Sequence, residues 1–88
     1  MADHLLLYEY VEDMAERRGA HREAHLDHVG TEREAGRVTE AGAFDPPIGA
    51  ALVFAGVDRE HIEAFVAADP YHQAGLITSW RIERWNRS

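Results

Sequence analysis

The pattern of apolar and polar positions predicts four strands. Residues 4–10 (HLLLYEY) and 48–55 (IGAALVFA) are short runs of strand formers in which both faces are mostly apolar. A strand that is apolar on both faces needs cover on both sides, so these two are expected at the centre of a sheet. A weaker strand is expected over 37–44, ending at a D-P-P turn, and a last strand over 76–85.

A long helix is predicted after the first strand. It starts with Asp13 as N-cap and Glu16 at the third helical position, which together form a capping box, and it runs to about Ala35, before Gly36. Gly19 is a weak point, so the part of the helix up to it can form a separate turn. The apolar seam of this helix is thin and consists of Met14, Ala15, Leu26 and Val29.

A second helix is predicted before the last strand. Asp58 is its N-cap, and Val57 with Ile62 fits a hydrophobic staple. Its apolar stripe, which is expected to pack on a sheet, consists of Ile62, Phe65 and Val66. Pro70 ends the helix because the residue before a proline is pushed towards an extended conformation.

The resulting order, β-α-β-β-α-β, predicts an α+β fold of the ferredoxin-like type. An antiparallel-type sheet has the first and third strands at its centre and both helices on one face. Residues 1–88 have the length of a single domain. Leu, Tyr, Ala and Trp side chains on the other face would stay in water in a monomer. We therefore expect a homodimer through the sheet face, which completes a dimeric α/β barrel.

Composition narrows the classes of function. The chain has no cysteine, its formal net charge is −7, and all nine basic residues are arginine. Disulfides, thiolate metal sites, thiol nucleophiles and lysine Schiff-base chemistry are therefore excluded. An acidic chain without a long basic stripe is a poor partner for nucleic acid. With no signal-peptide pattern and no apolar run of membrane-spanning length, we expect a cytoplasmic protein without membrane contact.

An ordered set of short motifs runs along the chain. Residues 22–26 read REAHL and residues 68–71 read ADPY, followed by GL at 75–76. Between them lie EAGR at 34–37 and AG at 41–42. In this order and at these distances the motifs resemble the YCII-related family over nearly the whole chain.

This resemblance implies a ferredoxin-like dimeric barrel whose cleft pairs the motif histidine, His25, with the motif aspartate, Asp69. It also implies lyase, dehydrohalogenase or isomerase-type chemistry on a small cyclic or carbonyl compound. The sequence itself implies no cofactor. The alternative function is a non-catalytic dimeric module that binds a metabolite or serves as an accessory subunit. Whether the protein is an enzyme stays open at this point.

The chemistry of the two motif residues supports an acid/base pair. A carboxylate that accepts a hydrogen bond from one imidazole nitrogen fixes the tautomer and makes the other nitrogen a better base. His25 would then be the general acid or base and Asp69 its orienter. The structural alternative is that His25 only packs in the helix seam and that Asp69 is a turn residue before proline.

Two further residues are candidates for binding a small-molecule ligand. Arg22 can hold a carboxylate or phenolate with its forked donors, or it can pair with Asp69 or with an acidic residue such as Glu23. Tyr71 can offer its hydroxyl to a pocket, or it can be an aromatic wedge.

Other patterns favour structural roles. Three histidines at i, i+4 and i+7, namely His21, His25 and His28, share a helix face, but HREAH does not match a zinc-protease motif and a third ligand is missing. We therefore predict no native metal. Trp80 and Trp85 are expected in the core or at the dimer interface, and residues 32–34 on a solvated helix face.

Overall fold

Strands and helices alternate along the chain in the computed structural model, which describes residues 3–88. The strands are β1 (Asp3–Tyr10), β2 (Val38–Ala43), β3 (Gly49–Phe54) and β4 (Ile77–Trp85). The helices are α1 (Met14–Arg17), α2 (Arg22–Glu34), α3 (Arg59–Ala68) and α4 (Pro70–Gln73), and a 3₁₀ turn covers Arg18–Ala20.

The four strands form one antiparallel sheet in the order β2-β3-β1-β4. Leu6 in β1 lies opposite Leu52 in β3 and opposite Ile82 in β4. The prediction that the first and third strands are central is confirmed, because the two strands with apolar residues on both faces are the ones with a neighbour on each side. This is the predicted ferredoxin-like α+β arrangement.

The helix predicted after β1 is not continuous. Asp13 makes no capping hydrogen bond with its side chain, and the chain passes from α1 through the 3₁₀ turn before α2 starts at Arg22. The interruption includes Gly19, whose backbone freedom makes a helix interior unfavourable. The predicted stop is confirmed, since Gly36 follows α2 with a left-handed φ of 78°.

The helix between β3 and β4 follows the prediction more closely. Oδ1 of Asp58 accepts a hydrogen bond from the backbone N–H of His61 at 2.9 Å, as an N-cap should. The buried stripe of α3 consists of Ile62, Phe65 and Val66. Pro70 does end α3, but the chain then turns directly into the short α4 rather than into the last strand.

The two faces of the sheet differ in their cover. The face that packs under the helices carries buried Leu6, Tyr8, Leu52, Phe54 and Ile82. On the opposite face, strand pairing aligns Leu5 with Val53 and Leu7 with Ala51. Tyr8 and Trp80 pair on the helix side, so the expectation that tyrosine and tryptophan side chains extend the open face holds only for Trp85. None of the described helices is long and apolar enough to cross a membrane.

Candidate active site

Asp69 lies at the junction between α3 and α4, where it is fully buried. Because Pro70 follows, the backbone of Asp69 is extended, with φ −67° and ψ 122°, and this conformation ends α3 and begins α4. As the N-cap of α4, Asp69 accepts a hydrogen bond at Oδ1 from the backbone N–H of Tyr71, at 2.9 Å. Asp69 is therefore the turn residue before proline that the alternative expects, and the same turn buries its carboxylate.

Two side chains also contact this carboxylate. Nδ1 of His25, near the start of α2, is 2.8 Å from Oδ1, and the hydroxyl of Tyr8 in β1 donates to Oδ2 at 2.9 Å. Since an ionised carboxylate only accepts hydrogen bonds, this contact assigns the proton of the neutral imidazole to Nδ1 and leaves Nε2 with its lone pair. Within residues 3–88, Nε2 of His25 has no hydrogen-bond partner.

Tyr71 supports the imidazole of His25 from one side. The two rings stack with centroids 3.9 Å apart and planes inclined by 8°, and Tyr10 packs edge-on against Tyr71 with centroids 5.9 Å apart. Burial raises the pKa of Tyr71, while the positive charges of Arg18 and Arg22 act in the opposite direction. The imidazole is therefore fixed both in its plane, by stacking, and in its rotation, by Asp69.

Tyr8 and Tyr10 remain neutral hydroxyl donors. Burial is the main cause that raises the pKa of both phenols well above the ordinary value, and the negative charge of Asp69 raises them further. A protonated Tyr8 occupies Oδ2 and keeps Oδ1 directed at His25. Tyr10 is the terminal residue of β1 and lines the adjoining cavity.

An open cavity of about 300 Å³ lies beside His25. Its volume is at the lower end of the range for small-molecule sites. Small residues of the neighbouring strands β2 and β3 make room for it, namely Ala41, Gly42, Ala43 and Ala50. Tyr10 and Tyr71 line it next to the imidazole.

One continuous face of α2 also lines the cavity. Its residues, spaced by three and four positions, are Arg22, His25, Leu26, Val29, Gly30 and Arg33. The prediction that Leu26 lies in a buried seam is therefore wrong: it is 50% exposed, because this helix face borders a cavity instead of packing tightly on the sheet. Arg33 likewise lines the cavity and is not a residue of an ordinary solvated helix face.

The four residues predicted from the sequence lie together. His25 contacts Asp69, Tyr71 stacks on His25, and Arg22 lines the cavity one helical turn before His25. Arg22 makes no ion pair within the described residues, so the alternative that pairs it with Asp69 or a nearby glutamate is not observed. Tyr71 acts as an aromatic support and lines the cavity at the same time.

The sequence interpretation misses other residues of the site, namely Tyr8, Tyr10, Arg18 and Arg33. Alternation along β1 places both tyrosines on the same face, and a buried hydroxyl needs a hydrogen-bond partner. That combination is a usable signal for Tyr8. Arg33 follows Arg22 by three helical turns, so a count of helix faces is enough to place it.

Two of the three histidines on this helix face, His25 and His28, have separate surroundings. The imidazole of His28 stacks on Phe65 with centroids 4.3 Å apart, and its Nε2 donates to the carbonyl of Phe65 at 2.9 Å. Nδ1 of His25 contacts Asp69. Among residues 3–88, no group of three or more histidine, cysteine, aspartate or glutamate side chains is arranged to hold a metal ion.

A second histidine–carboxylate contact lies away from the cavity. Glu32, expected on a solvated face, is buried, and its carboxylate contacts both Nε2 of His61, at 2.7 Å, and the guanidinium of Arg37. Burial alone would raise the pKa of Glu32, but hydrogen bonds and positive charge from Arg37 and His61 outweigh it and hold the pKa below its usual range. This cluster joins α2, α3 and the residue before β2.

Comparisons with known proteins identify a matching family and a similar fold. The sequence profile of the YCII-related domain matches residues 2–86. The fold is similar to that of 5-chloro-2-hydroxyhydroquinone dehydrochlorinase from Burkholderia phenoliruptrix AC1100, solved in complex with 2,5-dihydroxybenzoquinone, with a TM-score of 0.85 and 20% identity. The match covers 98% of this chain and 95% of that chain. No curated protein matches the chain in sequence.

Proposed function

The chain belongs to the YCII-related domain family, and from this premise we propose that it catalyses proton transfer on a small cyclic or carbonyl compound. The reaction is of the lyase type, such as dehydrohalogenation, or of the isomerase type. His25 is the general acid/base and Asp69 its orienter. The observation that carries the proposal is the 2.8 Å contact between Nδ1 and Oδ1 beside an open cavity, with Nε2 unpaired in the described part of the chain.

The proposed step begins when Nε2 of His25 takes a proton from a substrate hydroxyl, or from a carbon next to a carbonyl group. The resulting imidazolium is stabilised by Asp69, which stays ionised. The electron pair left on the substrate moves into the ring or the carbonyl. In a dehydrohalogenation it expels the halide directly from a saturated neighbouring carbon. Where the halogen is on an aromatic ring, His25 first returns the proton to the carbon that carries the halogen, and removal of a second hydroxyl proton then expels the halide. In an isomerisation His25 returns the proton to a different carbon.

Arg22 and Tyr71 bind the substrate in this proposal. The guanidinium of Arg22 is not paired with a carboxylate among residues 3–88, so its forked donors are available to a substrate carboxylate or phenolate. The Tyr71 hydroxyl lies on the same cavity and is a neutral donor. No cofactor is part of the proposed reaction.

The similar solved structure suggests a first substrate. That protein is a dehydrochlorinase of 5-chloro-2-hydroxyhydroquinone, but an identity of 20% establishes a shared fold and not a shared reaction. The compound still has the ring and hydroxyl groups that the proposed chemistry needs. It is therefore the logical first compound to test with this chain.

The experiment follows chloride release and ultraviolet–visible absorbance for the wild type, His25→Ala, Asp69→Asn and the control His72→Gln. His72 is exposed on α4 and lies outside the cavity lining. Loss of the acid/base pair should lower kcat/KM by about 10²- to 10⁴-fold in the first two variants, with thermal unfolding still cooperative. The control should keep wild-type activity.

The alternative, a non-catalytic module, predicts a different outcome. The wild type would then turn over neither this compound nor related halogenated or lactone rings, and His25→Ala would change only stability. Nitrogen-15 NMR of the imidazole provides a readout that does not depend on the substrate: Nδ1 should carry the proton in the wild type and lose this preference in Asp69→Ala, which removes the acceptor. An unchanged tautomer in that variant argues against Asp69 as the orienter.

We also propose that two copies of the chain associate through the open face of the sheet. On that face Leu5, Leu7 and Ala51 are only partly buried, and they alternate with the core residues Leu6, Tyr8 and Leu52 of the opposite face. Apolar side chains on a contiguous strand surface favour association.

A further inference from the structure

The nine arginines of the chain fall into two groups. Five form ion pairs with carboxylates, namely Arg17, Arg37, Arg59, Arg81 and Arg87. The other four, Arg18, Arg22, Arg33 and Arg84, form none within residues 3–88. Three of these four line the cavity beside His25, and only Arg84 does not.

The local sequence accounts for this division. Arg17 has Asp13 four positions before it, and Arg59 has Glu63 four positions after it, so each finds a partner on its own helix. Around Arg18, Arg22 and Arg33, by contrast, the positions three and four away hold no aspartate or glutamate. These arginines are therefore left without a partner along the helix.

The cavity lining also lacks carboxylates. No aspartate or glutamate of the described chain lines it, although the chain has sixteen such residues. Asp69 lies behind His25 and is fully buried. A concave surface with unpaired guanidinium groups and apolar walls has a positive potential, even in a protein whose formal net charge is −7. The charge of the cavity is therefore opposite to that of the protein.

The positively charged arginines lie towards two separate ends of the cavity. Arg33 follows Arg22 by three helical turns, so both lie on the same face of α2 with a rise of about 16 Å between them. Arg22 is one turn from His25, and Arg18 precedes it in the 3₁₀ turn. Arg33 is more than two turns beyond His25, past Val29 and Gly30. One positive group is thus near the reactive nitrogen and another is remote from it.

We infer that the ligand of this cavity is a small dianion, a one-ring compound with an anionic group at each end. Arg18 and Arg22 bind the group next to His25, and Arg33 binds the remote group and determines specificity for the second charge. Forked guanidinium donors match carboxylate oxygens at both ends. Which end reacts rests on the proposed function, whereas the demand for two charges does not.

Binding of three probes tests this inference by isothermal titration calorimetry. The probes are benzoate, with one carboxylate, terephthalate, with one at each end of the ring, and dimethyl terephthalate, which is neutral. Terephthalate should bind on the order of tenfold more tightly than benzoate, because charge-assisted hydrogen bonds form at a second end. The neutral diester should bind most weakly, and added salt should weaken terephthalate most.

Variants identify the residue responsible. Arg33→Met should remove the advantage of terephthalate and leave benzoate unchanged, whereas Arg33→Lys should retain part of it. Arg22→Met should weaken both anions. Arg84→Met is the matched control, since Arg84 is also unpaired in the described residues but lies outside the cavity lining, and it should change neither. Arg33 is exposed, so folding of its variants is expected and is checked by thermal unfolding.

Several outcomes would overturn the inference: equal affinity for benzoate and terephthalate, no binding of terephthalate, or an advantage that survives Arg33→Met. These results are distinct from failure of the proposed function, because the probes are not turned over. A protein that shows the terephthalate pattern but no activity dependent on His25 would be a dianion-binding module. Activity that depends on His25, without tighter binding of terephthalate than of benzoate, would support the proton-transfer proposal and contradict the dianion inference.

Discussion

At the scale of the residue, Asp69 has two roles that arise from one backbone position. Pro70 forces an extended conformation at Asp69, so its carboxylate turns back to cap α4 through the N–H of Tyr71. The same geometry directs Oδ1 at His25, and Tyr8 satisfies Oδ2. Three donors make this burial of a carboxylate tolerable without a cationic partner.

Tyr8→Phe tests the support that Tyr8 gives to this carboxylate. The change leaves Oδ2 of Asp69 buried without a donor, so the free energy of unfolding should fall by about 1–3 kcal/mol. In the proposed reaction kcat should also fall, while KM changes little, because Tyr8 does not line the cavity. Denaturant unfolding and steady-state kinetics measure the two effects.

Tyr10→Phe is the matched control for this prediction. Tyr10 lies two positions along the same strand, and its hydroxyl makes no hydrogen bond within residues 3–88. Its loss should therefore cost less stability than the loss of the Tyr8 hydroxyl. Equal losses in the two variants would show that the contact with Asp69 contributes nothing specific.

The sequence allows part of the site to be predicted. His25 and Asp69 stand out because each lies in a short motif that resembles the YCII-related family, and their proposed roles follow from the chemistry of imidazole and carboxylate. The sequence can indicate that Tyr8 needs a hydrogen-bond partner but not that Asp69 is this partner, because the two positions are 61 residues apart and meet only in the fold. Arg33 can be placed on the helix face of Arg22, but its acidic neighbours in sequence suggest a solvated face and not the edge of a cavity.

At the scale of the element, the Glu32 cluster ties helices to the sheet. The ionised carboxylate of Glu32 accepts hydrogen bonds from His61 on α3 and from Arg37 next to β2. Since its pKa is lower in the folded protein than the ordinary value of 4.5, ionised Glu32 stabilises the fold. This contribution is fully present above pH 4.5, the pKa expected in the unfolded chain, and it is lost as the pH falls through the lower pKa of the folded state.

Glu32→Gln should therefore destabilise the protein at neutral pH, by about 1–3 kcal/mol, because Arg37 and His61 lose a charged acceptor. The difference from the wild type should shrink as the pH is lowered below the ordinary glutamate range. Unfolding in denaturant at a series of pH values measures this. Glu34→Gln, an exposed change two positions along α2, should show neither effect. A constant difference at all pH values would contradict the linkage.

Substitution by alanine should change the stability of the protein in opposite directions at two glycines. A Cβ on Gly49 at the start of β3 would lie 2.2 Å from the backbone oxygen of Tyr8, so Gly49→Ala should destabilise by about 1–3 kcal/mol. A Cβ on Gly30 in α2 would meet nothing within 4 Å, so Gly30→Ala should stabilise the helix by up to about 1 kcal/mol. Thermal unfolding gives both signs, and destabilisation by Gly30→Ala would contradict the helical argument.

The elements themselves are largely predictable because their signals are local. Asp58 caps α3 as the pattern predicts, and the predicted ends of all four strands agree with the observed ends within one residue. The start of α1 at Met14 also agrees with the prediction, although the side chain of Asp13 makes no capping hydrogen bond. The break before α2 includes Gly19, the weak point expected from the sequence.

At the scale of the whole molecule, the order of the strands follows from two runs that are apolar on both faces. The sequence does not reveal the cavity between α2 and the edge of the sheet. Small residues of β2, with Ala50 of β3, leave the space between the helix face and the sheet unfilled, and this space is the cavity. Such a void depends on the sum of side-chain volumes across three elements, which no single window of sequence contains.

The open face of the sheet is the surface through which two copies of the chain are proposed to associate. If two copies associate there, the wild type should sediment with twice the mass of the chain, and Leu7→Arg should sediment as a monomer. The variant places a positive charge directly beside Arg81, which pairs with Leu7 on the same face, so both subunits would bring like charges to the interface. Sedimentation equilibrium over a range of concentrations measures the mass.

Ala64→Arg is the control for this experiment, because Ala64 is exposed on α3, on the helix side of the sheet. It adds the same side chain without touching the open face and should remain dimeric. A wild type that is monomeric at every concentration would contradict the dimer directly. A Leu7→Arg variant that remains dimeric would instead show that the interface does not lie on the open face of the sheet. The two copies would then not form a barrel.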